Sequence, residues 1–199
     1  MNPWDERYAS ATYFYGTDPN DFLREQATTI PSDGTILCLG EGEGRNAVYL
    51  AGQGYDVAAM DQSAVGLEKA RRLASAKAVR IETLVANLDG YQLDAARWDG
   101  IVSIWCHLPG AIRSSIHRQV AVGLKPGGVF LLEAYTPRQI PNGTGGPKDV
   151  DLLPTLVELL RDLDGLEILV GTETDRVVQE GAGHTGLSAV VQIVARRPT

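Results

Sequence analysis

Along this chain of 199 residues, short continuous apolar runs alternate with stretches whose apolar residues recur at helical spacing. The first run, ILCL at 36–39, breaks into glycines at 40, 42 and 44 and continues as RNAVYLA. That order predicts a strand, a tight glycine turn and a helix over Arg45 to Gln53. YDVAAMD follows as a short buried strand ending at Asp61, which completes a β-α-β unit. Ser63 is placed to cap a helix that runs through about Lys77. Val79 to Val85 alternates like a third strand, and 87–97 reads as loop. Trp98 to Trp105 is apolar on both faces, as a central parallel strand should be.

Pro109 to Leu124 predicts a helix that begins at a proline and stops before Pro126, with the KPGG of 125–128 as a turn. Val129 to Ala134 is the fifth strand. Tyr135 to Val150 carries three prolines and three glycines, more than a simple connection needs, which suggests a loop on the substrate side. Asp151 to Leu163 has leucines and valines at helical spacing. Leu166 to Glu180 and Leu187 to Arg197 read as two strands joined by EGAGHTG, a hairpin signal. The expected fold class is α/β, a doubly wound, Rossmann-like sheet of seven strands. It is mostly parallel with an antiparallel C-terminal strand, in a three-layer α-β-α arrangement. A single domain over residues 1–199 is expected, with 1–34 as an N-terminal lid or helical segment packed on the core.

Composition narrows the class. Hydrophobic residues make up 44% and charged residues 22%, as in ordinary globular proteins. The formal net charge is −7 and the lysines and arginines are scattered, which argues against nucleic acid as a partner. No apolar run is long enough to span a membrane and the start, MNPWDERY, does not read as a leader, so a cytoplasmic protein is expected. Cys38 and Cys106 sit in apolar runs, where free thiols act as small hydrophobes rather than disulfide partners. No metal-ligand cluster emerges, and monomer and homodimer both stay open.

The glycine turn carries the first functional signal. Glycines at 40, 42 and 44 let the backbone approach a ligand closely, and the helix behind them points free amides at the same place. A nucleotide-like ligand is implied. A dinucleotide fingerprint wants a third glycine three residues after the second, and Arg45 stands there, so the pattern is GxGxG.

The glycine turn, Asp61, the NLD of 87–89, the loop after IVSIW and the LKPGG of 124–128 together resemble a class I S-adenosylmethionine-dependent methyltransferase. The GRNAVYLA continuation and the N-terminal WDERY and YFYGTDPNDFL look like the small tellurite-resistance and thiopurine methyltransferase-like group. The resemblance implies S-adenosylmethionine as cofactor. It places Gly40, Gly42 and Gly44 under the methionine part and Asp61, with Gln62 beside it, at the ribose hydroxyls. Asn87 and Leu88 would hold the adenine, with Asp89 as an alternative contact. Arg45 and Asn46 would either meet the cofactor carboxylate or brace the turn. The family usually has an acid two positions before the first glycine. Cys38 stands there instead, so Glu41 is expected to take over part of the polar work near the methionine ammonium.

Methyl transfer is an in-line displacement in which positioning carries most of the catalysis. Ligands of such sheets lie outside the carboxyl ends of the strands, which puts Trp105, Cys106, His107 and Leu108 beside the cofactor. His107 is the candidate general base, with the alternative that it only hydrogen-bonds backbone or cofactor. Cys106 is expected to line the pocket, and Trp105 either packs on the adenine or belongs to the core. Tyr15 is a second catalytic candidate, in an aromatic-rich lid suited to a sulfonium, while Trp4 and Phe14 are expected to pack the segment down. His117 and His184 are expected at the surface. The resulting expectation is a methyltransferase acting on a small-molecule acceptor, a thiol or a chalcogen oxyanion. Its competitors are an NAD(P)-dependent oxidoreductase and a non-catalytic S-adenosylmethionine-binding module.

Overall fold

The computed structural model describes residues 2–199; Met1, the first residue of the expected lid, lies outside the described residues. Strands β1 (Thr35–Leu39), β2 (Asp56–Asp61), β3 (Glu82–Val85), β4 (Trp98–Ile104), β5 (Leu124–Tyr135), β6 (Glu167–Glu180) and β7 (His184–Arg196) form one sheet. Their order is β3-β2-β1-β4-β5-β7-β6. Neighbours from β3 to β5 are parallel, and β7 runs antiparallel to both β5 and β6. The order reverses between β1 and β4, which opens a crevice at their carboxyl ends.

Helices α1 (Pro3–Tyr8), α2 (Asp21–Gln26), α3 (Arg45–Gly52), α4 (Ala64–Ala76), α5 (Gly110–Gly123) and α6 (Leu156–Asp162) surround the sheet. Period-two alternation divides each central strand between two cores. In β1, Ile36 and Cys38 join Leu23 of α2, Leu50 of α3 and Leu67 of α4. Leu37 and Leu39 join Ile116 and Val120 of α5 and Leu159 of α6 on the other face. The three-layer α-β-α class expected from the sequence is the observed one.

Some boundaries moved for identifiable reasons. The KPGG segment is no separate turn: Trp98 pairs with Leu124 and Gly100 with Val129, so the surplus residues bulge within β5, with Gly127 at φ 79°. The helix expected from Asp151 begins only at Leu156. Pro154 disfavours helix in the residue before it, and Thr155 starts the helix afresh through a capping box with Glu158. β7 starts at His184, paired with Glu180, so the hairpin turn is only residues 181–183.

The N-terminal segment is fastened to the glycine turn. Lys69 of α4 is buried against the Glu43 carboxylate and donates to the carbonyls of Ser10 (2.9 Å) and Thr12 (2.7 Å). Glu43 in turn accepts from the Phe14 amide at 2.8 Å. Asn20 caps α2 by accepting from the Leu23 amide, while its own amide donates to Asn46 Oδ1 at 2.9 Å.

A polar network crosses the carboxyl edge of the sheet. Glu133, fully buried in β5, accepts from Arg176 Nε (2.8 Å), Gln192 Nε2 (2.6 Å) and Asn20 Nδ2 (2.6 Å). Glu180 accepts from Asn20 Nδ2 (2.8 Å) and Trp105 Nε1 (2.6 Å) and pairs with Arg45. Burial would raise the Glu180 carboxyl, but His184, Arg45 and Trp105 outweigh it and hold the pKa at about 2.

His117 corrects a sequence expectation. It is buried, not exposed, with its ring 5.6 Å from that of Phe130, because its face of α5 turns to the sheet. Burial pushes its pKa down to about 4, with Asp162 opposing.

Two outcomes follow for stability. Glu133→Ala removes the acceptor shared by Arg176, Gln192 and Asn20 and should cost about 1–3 kcal/mol, read as a lower urea midpoint at unchanged slope. His117 binds its proton less readily folded than unfolded, so its contribution is complete above pH 6.5 and lost as pH falls towards 4. His117→Gln should flatten the stability-against-pH curve in that window; an unchanged slope would refute the assignment.

Candidate active site

A cavity of about 540 Å³ opens at the carboxyl ends of β1, β2 and β4, within the range of small-molecule sites. Its floor is the glycine turn and Met60, Asp61 and Gln62. One wall is Ala86, Asn87 and Leu88, and another is the stretch from Ile104 to Leu108. The roof comes from Trp4, Arg7, Tyr8, Phe14 and Tyr15, with residues 145–147 and 182–184. Trp4 and Phe14, expected only to pack, therefore face the cavity.

The glycines divide the labour. Gly40 lines the cavity at φ 61°, and a Cβ there would lie 2.6 Å from Cys106 Sγ. Gly44, at φ 90°, is required by packing, since a Cβ would come within 2.4 Å of the Ala70 Cβ on α4. Gly42 and Gly44 do not line the cavity; Gly42 shapes it by donating its amide to Asp61 Oδ2 at 2.8 Å.

Asp61 is buried and accepts a second amide, from Ser63 at 2.7 Å. Burial raises its pKa and these amides oppose the rise. Glu41 Oε1 accepts the amides of Asn46 (2.9 Å) and Ala47 (2.8 Å), so it supplies the acceptor that Gly44, as N-cap of α3, cannot. Burial pushes the Glu41 carboxyl up to about 7. Cys38 lies fully buried beside it, its thiol raised by burial and by Glu41. Arg45 and Asn46 border the cavity but bond inward, Arg45 to Glu180 and the Asp18 carbonyl (3.2 Å), Asn46 to Asn20. These bonds brace the glycine turn against β6 and the N-terminal segment. Asn87 Oδ1 accepts the Asp89 amide at 3.0 Å and closes its loop, while Asp89 is exposed outside the cavity.

Beyond β4 the backbone bends sharply. Trp105 adopts φ 55°, a left-handed conformation uncommon for a side chain of this size, and is locked by its amide to Glu133 O (2.9 Å) and its indole to Glu180. His107 has both ring nitrogens engaged: Nδ1 lies 3.0 Å from Trp105 O, and Nε2 accepts the Tyr135 amide at 3.1 Å. Burial drives its pKa down to about 3. The lone pair a base would use is occupied, so the geometry is the hydrogen-bonding alternative rather than a free base. Cys106 is a lining residue with its thiol pushed up to about 12 by burial. Tyr15 accepts from Arg7 at 2.8 Å, and its ring lies 4.7 Å from that of His184 at a tilt of 42°.

His184 is the second correction. It is 5% exposed and lines the cavity, where a surface position was expected. The hairpin is tighter than its glycine content suggested, and this draws His184 into β7. The Glu133–Arg176–Glu180 network also escaped sequence reading. Its traces were a glutamate inside the apolar run VFLLEAY and the i, i+4 spacing of Arg176 and Glu180 on one strand face.

Among known proteins, a family model described as a methyltransferase domain matches residues 36–128. No curated protein matches the sequence. A solved structure concerned with the conversion of a disulfide bond into a thioacetal group during echinomycin biosynthesis is 19% identical, with a TM-score of 0.76, covering 98% of this chain and 92% of the other. TehB from Haemophilus influenzae is 21% identical, with a TM-score of 0.70, over 98% of this chain and 65% of its own. An S-adenosylmethionine-dependent methyltransferase from Mesorhizobium loti is 20% identical, with a TM-score of 0.66, over 87% and 96%. At these identities the likeness is one of fold. Residues 36–128, from β1 and the glycine turn into β5, are thus similar to a methyltransferase domain, on a fold shared with the solved structures above.

Proposed function

We propose that the protein transfers a methyl group to a small molecule, a thiol or a chalcogen oxyanion, within the cytoplasm. The observation that carries the small-molecule reading is the roof: residues of the N-terminal segment and the hairpin turn line one side of a cavity of about 540 Å³, a volume that suits a small molecule. The net charge of −7 agrees. The chalcogen and thiol classes rest on the sequence resemblance to the tellurite-resistance and thiopurine group, which the likeness to TehB accompanies at the level of fold.

The residues present fit the cofactor. Gly40 leaves a cradle that any side chain would fill, and Asp61 keeps acceptor capacity beyond its two amides. Asp61, with Gln62 beside it, would take the ribose hydroxyls, Asn87 and Leu88 the adenine, and Glu41 the methionine ammonium through the oxygen not used to cap α3. Trp105 and Cys106 would face the sulfur, with Tyr15 across the cavity. Bound there, S-adenosylmethionine supplies an electrophilic methyl on a cationic sulfur. The chain's part is to orient the acceptor in line, exclude water beneath the roof and present aromatic faces to the positive charge.

Calorimetry should show S-adenosylmethionine and S-adenosylhomocysteine binding and no heat with NAD. Asp61→Asn should weaken the first two by roughly 10-fold or more, since hydrogen bonds to a charged group contribute about 1.5–3 kcal/mol. Glu41→Gln should also weaken them; unchanged affinity would remove Glu41 from the ammonium site. Methyl transfer to a panel of thiols, selenite and tellurite separates an enzyme from a binding module, for which binding would occur without turnover.

A further inference from the structure

His184 has no assigned role, and its surroundings are unusual for an idle side chain. Its ring sits 4.7 Å from Tyr15, 4.9 Å from Trp105 and 5.3 Å from Tyr135, with one edge on the cavity. Its Nδ1 is buried without a hydrogen-bond partner, 3.9 Å from Glu180 Oε2. A small shift of either side chain closes that gap, and an Nδ1–H donated to Glu180 leaves Nε2 as a bare lone pair. His107, by contrast, has no lone pair to offer.

We infer that His184 is the proton acceptor of this site, oriented by Glu180 as its positioning residue, and that the methyl acceptor arrives still carrying its proton. The inference rests on the methyl-transfer reading above and narrows it to a thiol or hydroxyl, since an oxyanion already carries its negative charge and has no proton to give. The heteroatom–hydrogen bond breaks, its electron pair stays on the heteroatom to form the new bond to carbon, and the proton joins Nε2. The carbon–sulfur pair returns to sulfur. His184 thus gains the positive charge that the sulfonium loses, so the cavity's net charge is unchanged, an advantage where the dielectric is low.

The other charges around the ring agree with this role. Glu180 from β6 favours the protonated ring; Arg45 from α3 and Arg7 from α1 oppose it, as burial does, so the free ring is held neutral and ready. His107 is held neutral by burial, and Tyr15 and Tyr135 are raised.

The chain has three histidines, so each ring is assignable from single variants. Proton–nitrogen correlation spectra of histidine-labelled full-length protein, saturated with S-adenosylhomocysteine, should show His184 as the Nδ1–H tautomer with an unprotonated Nε2. In Glu180→Gln its titration midpoint should fall by about 1–3 pH. Diethyl pyrocarbonate should acylate His184 ahead of His107 and His117. A proton on Nε2 of His184, or prior acylation of His107, overturns the inference. If Glu180→Gln fails to fold, the wild-type tautomer and acylation order still decide. The calorimetry keeps the two readings apart: no heat with S-adenosylhomocysteine defeats the methyl-transfer reading, whereas binding with the wrong tautomer defeats only the role of His184.

Discussion

The carboxylates of Glu133 and Glu180 are buried where the sheet's carboxyl edge, the start of α3 and the N-terminal segment meet. A charge in that position is tolerable only when fully paired. The pairing fixes much else: Arg176 ties β6 to β5, Arg45 ties the glycine turn to β6, and Asn20 bridges both acids from the N-terminal side. Trp105 takes its strained conformation against the main-chain carbonyl of Glu133 and the carboxylate of Glu180. The cavity's shape is therefore set by electrostatics behind its walls as much as by apolar packing beneath them.

The glycine turn shows a similar economy. Its acids face different ways: Glu41 caps α3 from within and Glu43 grips the N-terminal segment, while Asp61 pins Gly42 from the next strand. One tight loop thus sets the start of a helix, the floor of the cavity and the position of its roof. Placing Glu41 inside the turn leaves position 38 free for Cys38, which packs as a small apolar residue of β1.

Legibility in the sequence followed the range of the interaction. The strand, turn and helix order is written in local periodicity and glycine placement, and so is the cap at Ser63, which accepts the Gly66 amide as an N-cap should. Trp105, Cys106 and His107 are placed beside the crevice by sheet topology, and Asp61, Asn87 and Leu88 by the resemblance of their motifs, and all six border the cavity. What was not legible depends on register across the sheet. The burial of His184 follows from a hairpin turn only three residues long, and that of His117 from which helical face meets Phe130. Neither is encoded within a window of neighbouring residues. The occupied lone pair of His107 depends on a main-chain amide in another strand, at Tyr135.

The attachment of the N-terminal segment differs from place to place. At the glycine turn it is riveted by a buried ion pair and several main-chain bonds through Lys69 and Glu43, whereas at the hairpin the main-chain link is the bond from the Ala182 amide to the Phe14 carbonyl. Lifting the segment from the first breaks hydrogen bonds to two charged groups, Lys69 and Glu43, while parting the second releases one neutral hydrogen bond. The segment therefore carries more bonds to the glycine turn and α4 than to the hairpin. The roof is thus anchored unevenly, and its more lightly bonded margin is the one that carries Tyr15 and His184.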